Sequence, residues 1–152
     1  MSTSRWTSAA MIGLLLVRCA QAQQTASGAD RKLFDYANRE RGAQGLPKLK
    51  WDDALAAAAR KHAEEMSKHG SISHRFAGEP SLPGRATKAG ARYSSLAENV
   101  AQASSAVAVH EEWMNSPPHR ANILDIDMDS LGVGVSERGG EVFAVEDFSK
   151  AR

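Results

Sequence analysis

His110-Glu111-Glu112-Trp113-Met114-Asn115-Ser116-Pro117-Pro118-His119-Arg120-Ala121-Asn122-Ile123-Leu124 is the stretch on which the reading of this chain turns. Ala106, Val109 and Trp113 recur at helical spacing, so an amphipathic helix is expected from about Ser105 to Asn115. Pro117 ends it, because the residue before a proline is pushed out of the α region. Pro118 suits the first turn of a second short helix carrying His119 to Leu124, where its missing N–H costs nothing. His119 is thereby placed at a helix N-terminus.

Outward from that stretch the pattern changes type. On the C-terminal side, Asp125 to Asp129 reads as a solvated acidic loop. Leu131 to Val135 and Val142 to Val145 read as two strands joined across Glu137-Arg138-Gly139-Gly140, a hairpin. On the N-terminal side, Asp30 is expected to cap a helix over Arg31 to Arg41. Leu46 to Trp51 follows as an extended connector whose Leu46, Leu49 and Trp51 enter the core. Asp52 caps a second, alanine-rich helix from Asp53 to Lys68, with Leu55, Ala59, His62 and Met66 on one face and Gly70 as its stop. Ser71 to Leu96 reads mostly as loop with a short helix around Arg85 to Ala89, and Ala97 to Ala103 as a short strand or turn. Long helices first, strands late and no βαβ alternation give an α+β fold: a small antiparallel sheet covered by helices.

The chain has 152 residues, enough for one domain with a proper core. Arg5, the apolar run Ala9 to Val17 and the small-x-small site Ala20-Gln21-Ala22 make residues 1–22 a signal peptide. Residues 23–30 are then a linker and 31–149 the folded domain. Cleavage removes Cys19, the only cysteine, so packing alone must stabilise the product. It also removes Arg5 and Arg18, so Lys+Arg falls from 19 to 17 against 18 Asp+Glu. A chain this near neutrality is not built for nucleic acid. No later apolar run is long enough to span a membrane, and the expected location is secreted or periplasmic.

His62-Ala63-Glu64-Glu65-Met66 and His110-Glu111-Glu112-Trp113-Met114 each begin like a zinc-protease helix, but methionine stands where the second histidine is required. The Asp125, Asp127, Asp129 spacing opens like a calcium loop, yet Ser130 replaces the turn glycine and Ser136 the bidentate glutamate. With Cys19 removed there is no thiol chemistry. Among the histidines, His62 shares an apolar face and reads as a core residue with a satisfied ring N–H. His69 sits in the last turn of its helix, where it favours the dipole. His110 reads as structural. His74 and His119, in loop and cap positions, are the two able to point into a cleft, with Glu98 as a candidate partner.

Several strings, in order, resemble the bacterial branch of the CAP superfamily (cysteine-rich secretory, antigen-five and pathogenesis-related proteins). They are Asn38-x-x-Arg41, Gly45-Leu46-Pro47-x-Leu49-x-Trp51, Ala59-x-x-His62-Ala63-x-x-Met66, Ser73-His74, Arg85 with Ala89-Gly90, Glu98-Asn99-Val100, Trp113-Met114-Asn115-Ser116-Pro117-x-His119-Arg120-x-Asn122-Ile123-Leu124, and Leu131-Gly132-Val133-Gly134-Val135. The resemblance implies an α-β-α sandwich, export, and a central cleft lined in animal and plant members by two histidines and two glutamates. His74 matches the first histidine, Glu98 the first glutamate and His119 the second histidine. The second glutamate falls on Ser116, and Pro118 replaces a usual glycine. The disulfides and cysteine-rich tail of eukaryotic members are missing, so ion-channel toxin activity is not implied.

The expectation is therefore a secreted binding module whose cleft residues are His74, Glu98, Ser116 and His119. His74, His119 and Glu98 form the candidate ligand set for zinc or another divalent metal. A small-molecule, lipidic or cell-wall ligand is the other occupant considered. A metal-dependent hydrolase acting on peptide or cell-wall substrates is the alternative, since two imidazoles and a carboxylate leave zinc a position for water. A Ser116-His119-Glu98 set is set aside, because Ser116 before two prolines is better read as a helix cap.

Overall fold

A computed structural model describes residues 28–152. The proposed signal peptide, its cut after Ala22 and Cys19 lie outside the described residues. Five helices and four strands follow in the order α1 (Gly28–Ala43), β1 (Lys50–Trp51), α2 (Asp53–His69), α3 (Leu82–Ala89), β2 (Tyr93–Ala103), α4 (Ala106–Asn115), α5 (Pro117–Ile123), β3 (Ser130–Arg138) and β4 (Glu141–Ala151). The sheet order is β1-β3-β4-β2. β3 and β4 form an antiparallel hairpin turning at Gly139-Gly140, and β2 pairs antiparallel with β4 along its other edge. This is the expected α-β-α sandwich.

Side-chain alternation along β4 divides the core in two. Val142, Ala144 and Phe148 face one way and pack with Leu33, Ala37, Val109, Trp113 and Ile123 from α1, α4 and α5. Phe143 and Val145 face the other way, onto Ala59, Ala63 and Met66 of α2. The period of two puts neighbouring β4 residues on opposite faces, so both faces of the sheet must be covered. Gly132 and Gly134 let α2 approach closely: a Cβ there would lie 2.1 Å from the backbone nitrogens of Ala56 and Arg60, respectively. Asp52 accepts from the Leu55 N–H at 2.9 Å and Gly70 closes α2 at φ 64°, so both ends lie where local chemistry puts them.

Four expectations are corrected. The sheet is not wholly antiparallel, since β1 joins it parallel to β3. Asn38 grips both main-chain groups of Leu49, donating to its carbonyl at 3.2 Å and accepting from its N–H at 2.7 Å, which presses the connector onto the sheet edge. Asp30 is not the cap of α1. Helix α1 begins at Gly28, and Asp30 is buried inside its first turn, 2.7 Å from Arg60 of α2. The supposed loop before Ala97 contains the first half of β2, which runs the length of β4. Leu46 is only half-buried, while Leu49 is the connector residue that fills the core.

Candidate functional site

His74 stands on the loop between α2 and α3, and the carbonyls on either side of its α-carbon are both held. His62 Nε2 lies 2.7 Å from Ser73 O. Arg85 donates to His74 O at 3.1 Å and to Pro80 O at 3.3 Å. Burial of Arg85 at the start of α3 thus determines where the loop ends. The His74 ring is 62% exposed, with Nδ1 2.8 Å from Glu98 Oε1. A carboxylate can only accept, so the neutral ring carries its proton on Nδ1 and leaves Nε2 as an acceptor. The other oxygen of Glu98 accepts from the Arg85 guanidinium. Glu98 is buried with both oxygens engaged.

The next residue, Asn99, points to the opposite face of the sheet and serves the other histidine. Its Nδ2 donates to His119 O and to Glu146 Oε2, both at 3.1 Å, while its Oδ1 accepts from Asn122 Nδ2 at 2.8 Å. Asn122 also reaches Glu98 O at 3.4 Å. Helix α5 is thereby pinned to the edge strand β2. His119 lies close enough to His74 for a charge there to act on it. Its pKa is lowered, first by burial and then by that charge. Adjacent side chains on opposite faces of one strand therefore hold the His74 ring and the His119 carbonyl.

Ser116 is half-buried at the junction of α4 and α5, in the N-cap position of α5. Its side chain makes no capping hydrogen bond there, contrary to the expected cap. His62 is buried, as read from the sequence, and so is His110, which lies 3.5 Å from Glu40 and whose pKa is lowered by burial above all. Beneath the site, β4 carries two fully buried acids. Asp147 is the register partner of Glu98, and Glu146 that of Asn99. Burial pushes Glu146 up to about 8 against the opposing hydrogen bond from Asn99. Burial and then the Glu98 charge push Asp147 well above the usual carboxylate range.

Sequence reasoning missed the roles of Arg85, Asn99 and Asn122 and the buried state of Glu146 and Asp147. The available signals were a lone arginine among small residues on a short helix, and two acids inside an otherwise apolar strand. Among the described residues, no three His, Cys, Asp or Glu side chains are gathered so as to hold a metal ion. A groove of about 630 Å³ lies alongside, between α2, α3 and the loop at Phe76 to Pro80. Glu79 and Arg85 line it, whereas His74, Glu98 and His119 do not. The groove and the histidine pair are separate features sharing one wall.

The comparisons with known proteins agree with this architecture. The family model described as the cysteine-rich secretory protein family, CAP, matches residues 34–148. The uncharacterized protein YkwD of Bacillus subtilis (strain 168) is 31% identical over 119 residues, covering 78% of this chain and 46% of its own length. The uncharacterized membrane protein YlbC of the same organism is 34% identical over 111 residues, covering 72% of this chain and 32% of its own. The chain thus spans less than half of either relative. An extracellular protein containing a SCP domain from Bacillus anthracis (strain Ames) superposes with a TM-score of 0.75 at 31% identity, over 81% of this chain and 40% of that one. With the helical layers, the mixed sheet and the motif residues all in place, this chain belongs to the CAP family of cysteine-rich secretory proteins.

Proposed function

We propose that this CAP-domain protein is exported and acts as a binding module that takes a divalent metal ion, zinc being the best match, on the imidazole pair His74 and His119. The observation that carries this reading is the 2.8 Å contact between His74 Nδ1 and Glu98. A carboxylate that holds one ring nitrogen fixes the tautomer and directs the other nitrogen outward, as the outer partners of metal-bound histidines do. In this reading Glu98 steadies His74 and is not itself a ligand, because Arg85 takes its second oxygen. The lowered pKa of His119 favours the neutral ring that a metal needs.

Two imidazoles make a weak, exchangeable site. A bound zinc ion would supply a Lewis-acidic centre with positions open to water or to a further ligand. Hydrolysis would call for a third ligand or a free carboxylate. Glu98, clamped on both oxygens, is neither, which leaves binding as the role of the site. Export is supported by the pattern of residues 1–22 and by the extracellular Bacillus anthracis relative.

Calorimetric titration of zinc into metal-free protein should show weak binding at neutral pH. Binding should fade as the pH drops through the histidine range, because protonated imidazole cannot coordinate. The double variant His74→Ala, His119→Ala should not bind. Equal binding by wild type and double variant would overturn the reading.

A further inference from the structure

The loop that presents His74 has little structure of its own. Ser71 to Ser81 contains no helix or strand, and most of it is exposed, with Ile72 51% accessible. Its shape comes from side chains, and the innermost of these is His62. That ring is completely buried on α2, and both of its nitrogens reach out to the loop: Nε2 to Ser73 O at 2.7 Å, Nδ1 to Glu79 Oε1 at 2.6 Å. Glu79 uses its other oxygen to accept from the Phe76 N–H at 3.0 Å, and its carbonyl accepts from Arg75 Nε at 2.8 Å. The same carboxylate lies 3.9 Å from Arg85, which bonds both His74 O and Glu98.

We propose that His62 is a positioning residue: with Glu79 it forms a buried latch which, together with Arg85, holds the consecutive carbonyls of Ser73 and His74 and so sets the direction in which the His74 ring is presented. The inference rests on reading His74 as the outward-facing ligand of the site. An apolar side chain at position 62 would fill the same space, but would leave Ser73 O and Glu79 without their partner. The loop would keep its floor and lose its register. Glu98 could then no longer meet Nδ1 reliably, since the His74 backbone and ring are fixed from the same cluster.

The test uses the full chain and its variants His62→Phe and Glu79→Gln, with nitrogen-15 spectra of the imidazoles, amide exchange and zinc titration. In wild type, neutral His74 should show the Nδ1–H tautomer. In both variants that signature should give way to a mixture of tautomers. Amide exchange at Ser73 to Phe76 should accelerate about tenfold or more, and zinc affinity should fall about tenfold, as when an outer partner of a metal ligand is lost. A folded His62→Phe protein with wild-type His74 tautomer and loop exchange would overturn the proposal. If His62→Phe does not fold, Glu79→Gln, which leaves the α2 core side chain in place, decides on the same readouts. If zinc does not bind wild type, the metal reading fails, while tautomer and exchange still judge the latch.

Discussion

Arg41 is buried and donates to four main-chain carbonyls, those of Pro47, Ile123, Asp125 and Met128, at 2.7 to 3.2 Å. One side chain thus fastens the end of α1 to the connector, to α5 and to the acidic loop. Arg41→Met keeps much of the volume but strips all four bonds. Chemical denaturation should show a loss of at least about 3 kcal/mol, since each buried carbonyl left unpaired costs about 1–3 kcal/mol. An unchanged midpoint would mean that water replaces the guanidinium at no cost. Glu146 gives a second prediction, about pH. Its folded pKa is raised from 4.5 to about 8, so the folded state keeps a proton that the unfolded chain releases. The contribution is fully present below about pH 4.5 and is lost as pH rises towards about 8. Glu146→Gln should therefore match wild type near pH 4.5 and melt several degrees higher at pH 8. Parallel melting curves at both pH values would refute burial of the carboxyl group.

At the scale of elements, the contact of α2 with β3 depends on missing side chains. Gly132 and Gly134 bring strand backbone against helix backbone, and Ala56 and Ala59 keep the helix side thin. A methyl group at position 134 would meet Arg60 N at 2.1 Å, and backbone cannot rotate aside as a flexible side chain can. Gly134→Ala should cost about 1–3 kcal/mol, the usual range for overpacking. A melt within a degree of wild type would show that α2 slides freely over the sheet. The same closeness lets Arg60 reach Asp30 of α1, an ion pair between the helical layers. On the other face, Trp113 is wholly buried at the end of α4, just before Pro117 starts α5. Past that proline α5 carries His119, whose carbonyl accepts from Asn99 of β2.

For the whole molecule, the sheet edge matters most. β2 is the last strand in the order, and both α3 and α5 pack against it. The loop before α3 brings His74 from one layer and α5 brings His119 from the other. No helix of the described residues is long and apolar enough to cross a membrane. The described residues contain no cysteine, so packing, caps and buried polar clusters hold the fold without cross-links. If the chain is exported as proposed, protein recovered from the native host should begin at Gln23, after the small residues Ala20 and Ala22. N-terminal sequencing checks this, and an intact Met1 or a lipidated Cys19 would overturn it.

The sequence alone determined the features that depend on neighbours along the chain. Asp52 and Gly70 end α2 because a cap is a contact across three or four residues, and Ser105 starts α4 for the same reason. The helical spacing of Val109 and Trp113, the hairpin glycines and the break at Pro117 are equally local. His74, Glu98 and His119 were legible as candidates through the order of motifs, and His62 as a core residue through its helical face. Only the tertiary structure decided what each of these side chains does. Glu98 is closed by a guanidinium from α3, 13 residues away in sequence. Asp30 is drawn inward by Arg60, 30 residues away. Glu146 and Asp147 stand out as acids beside an apolar run, but only the register sets them opposite Asn99 and Glu98. A buried charge or hydrogen bond is stable only when a partner arrives from another element, and which partner arrives is a property of the packed chain.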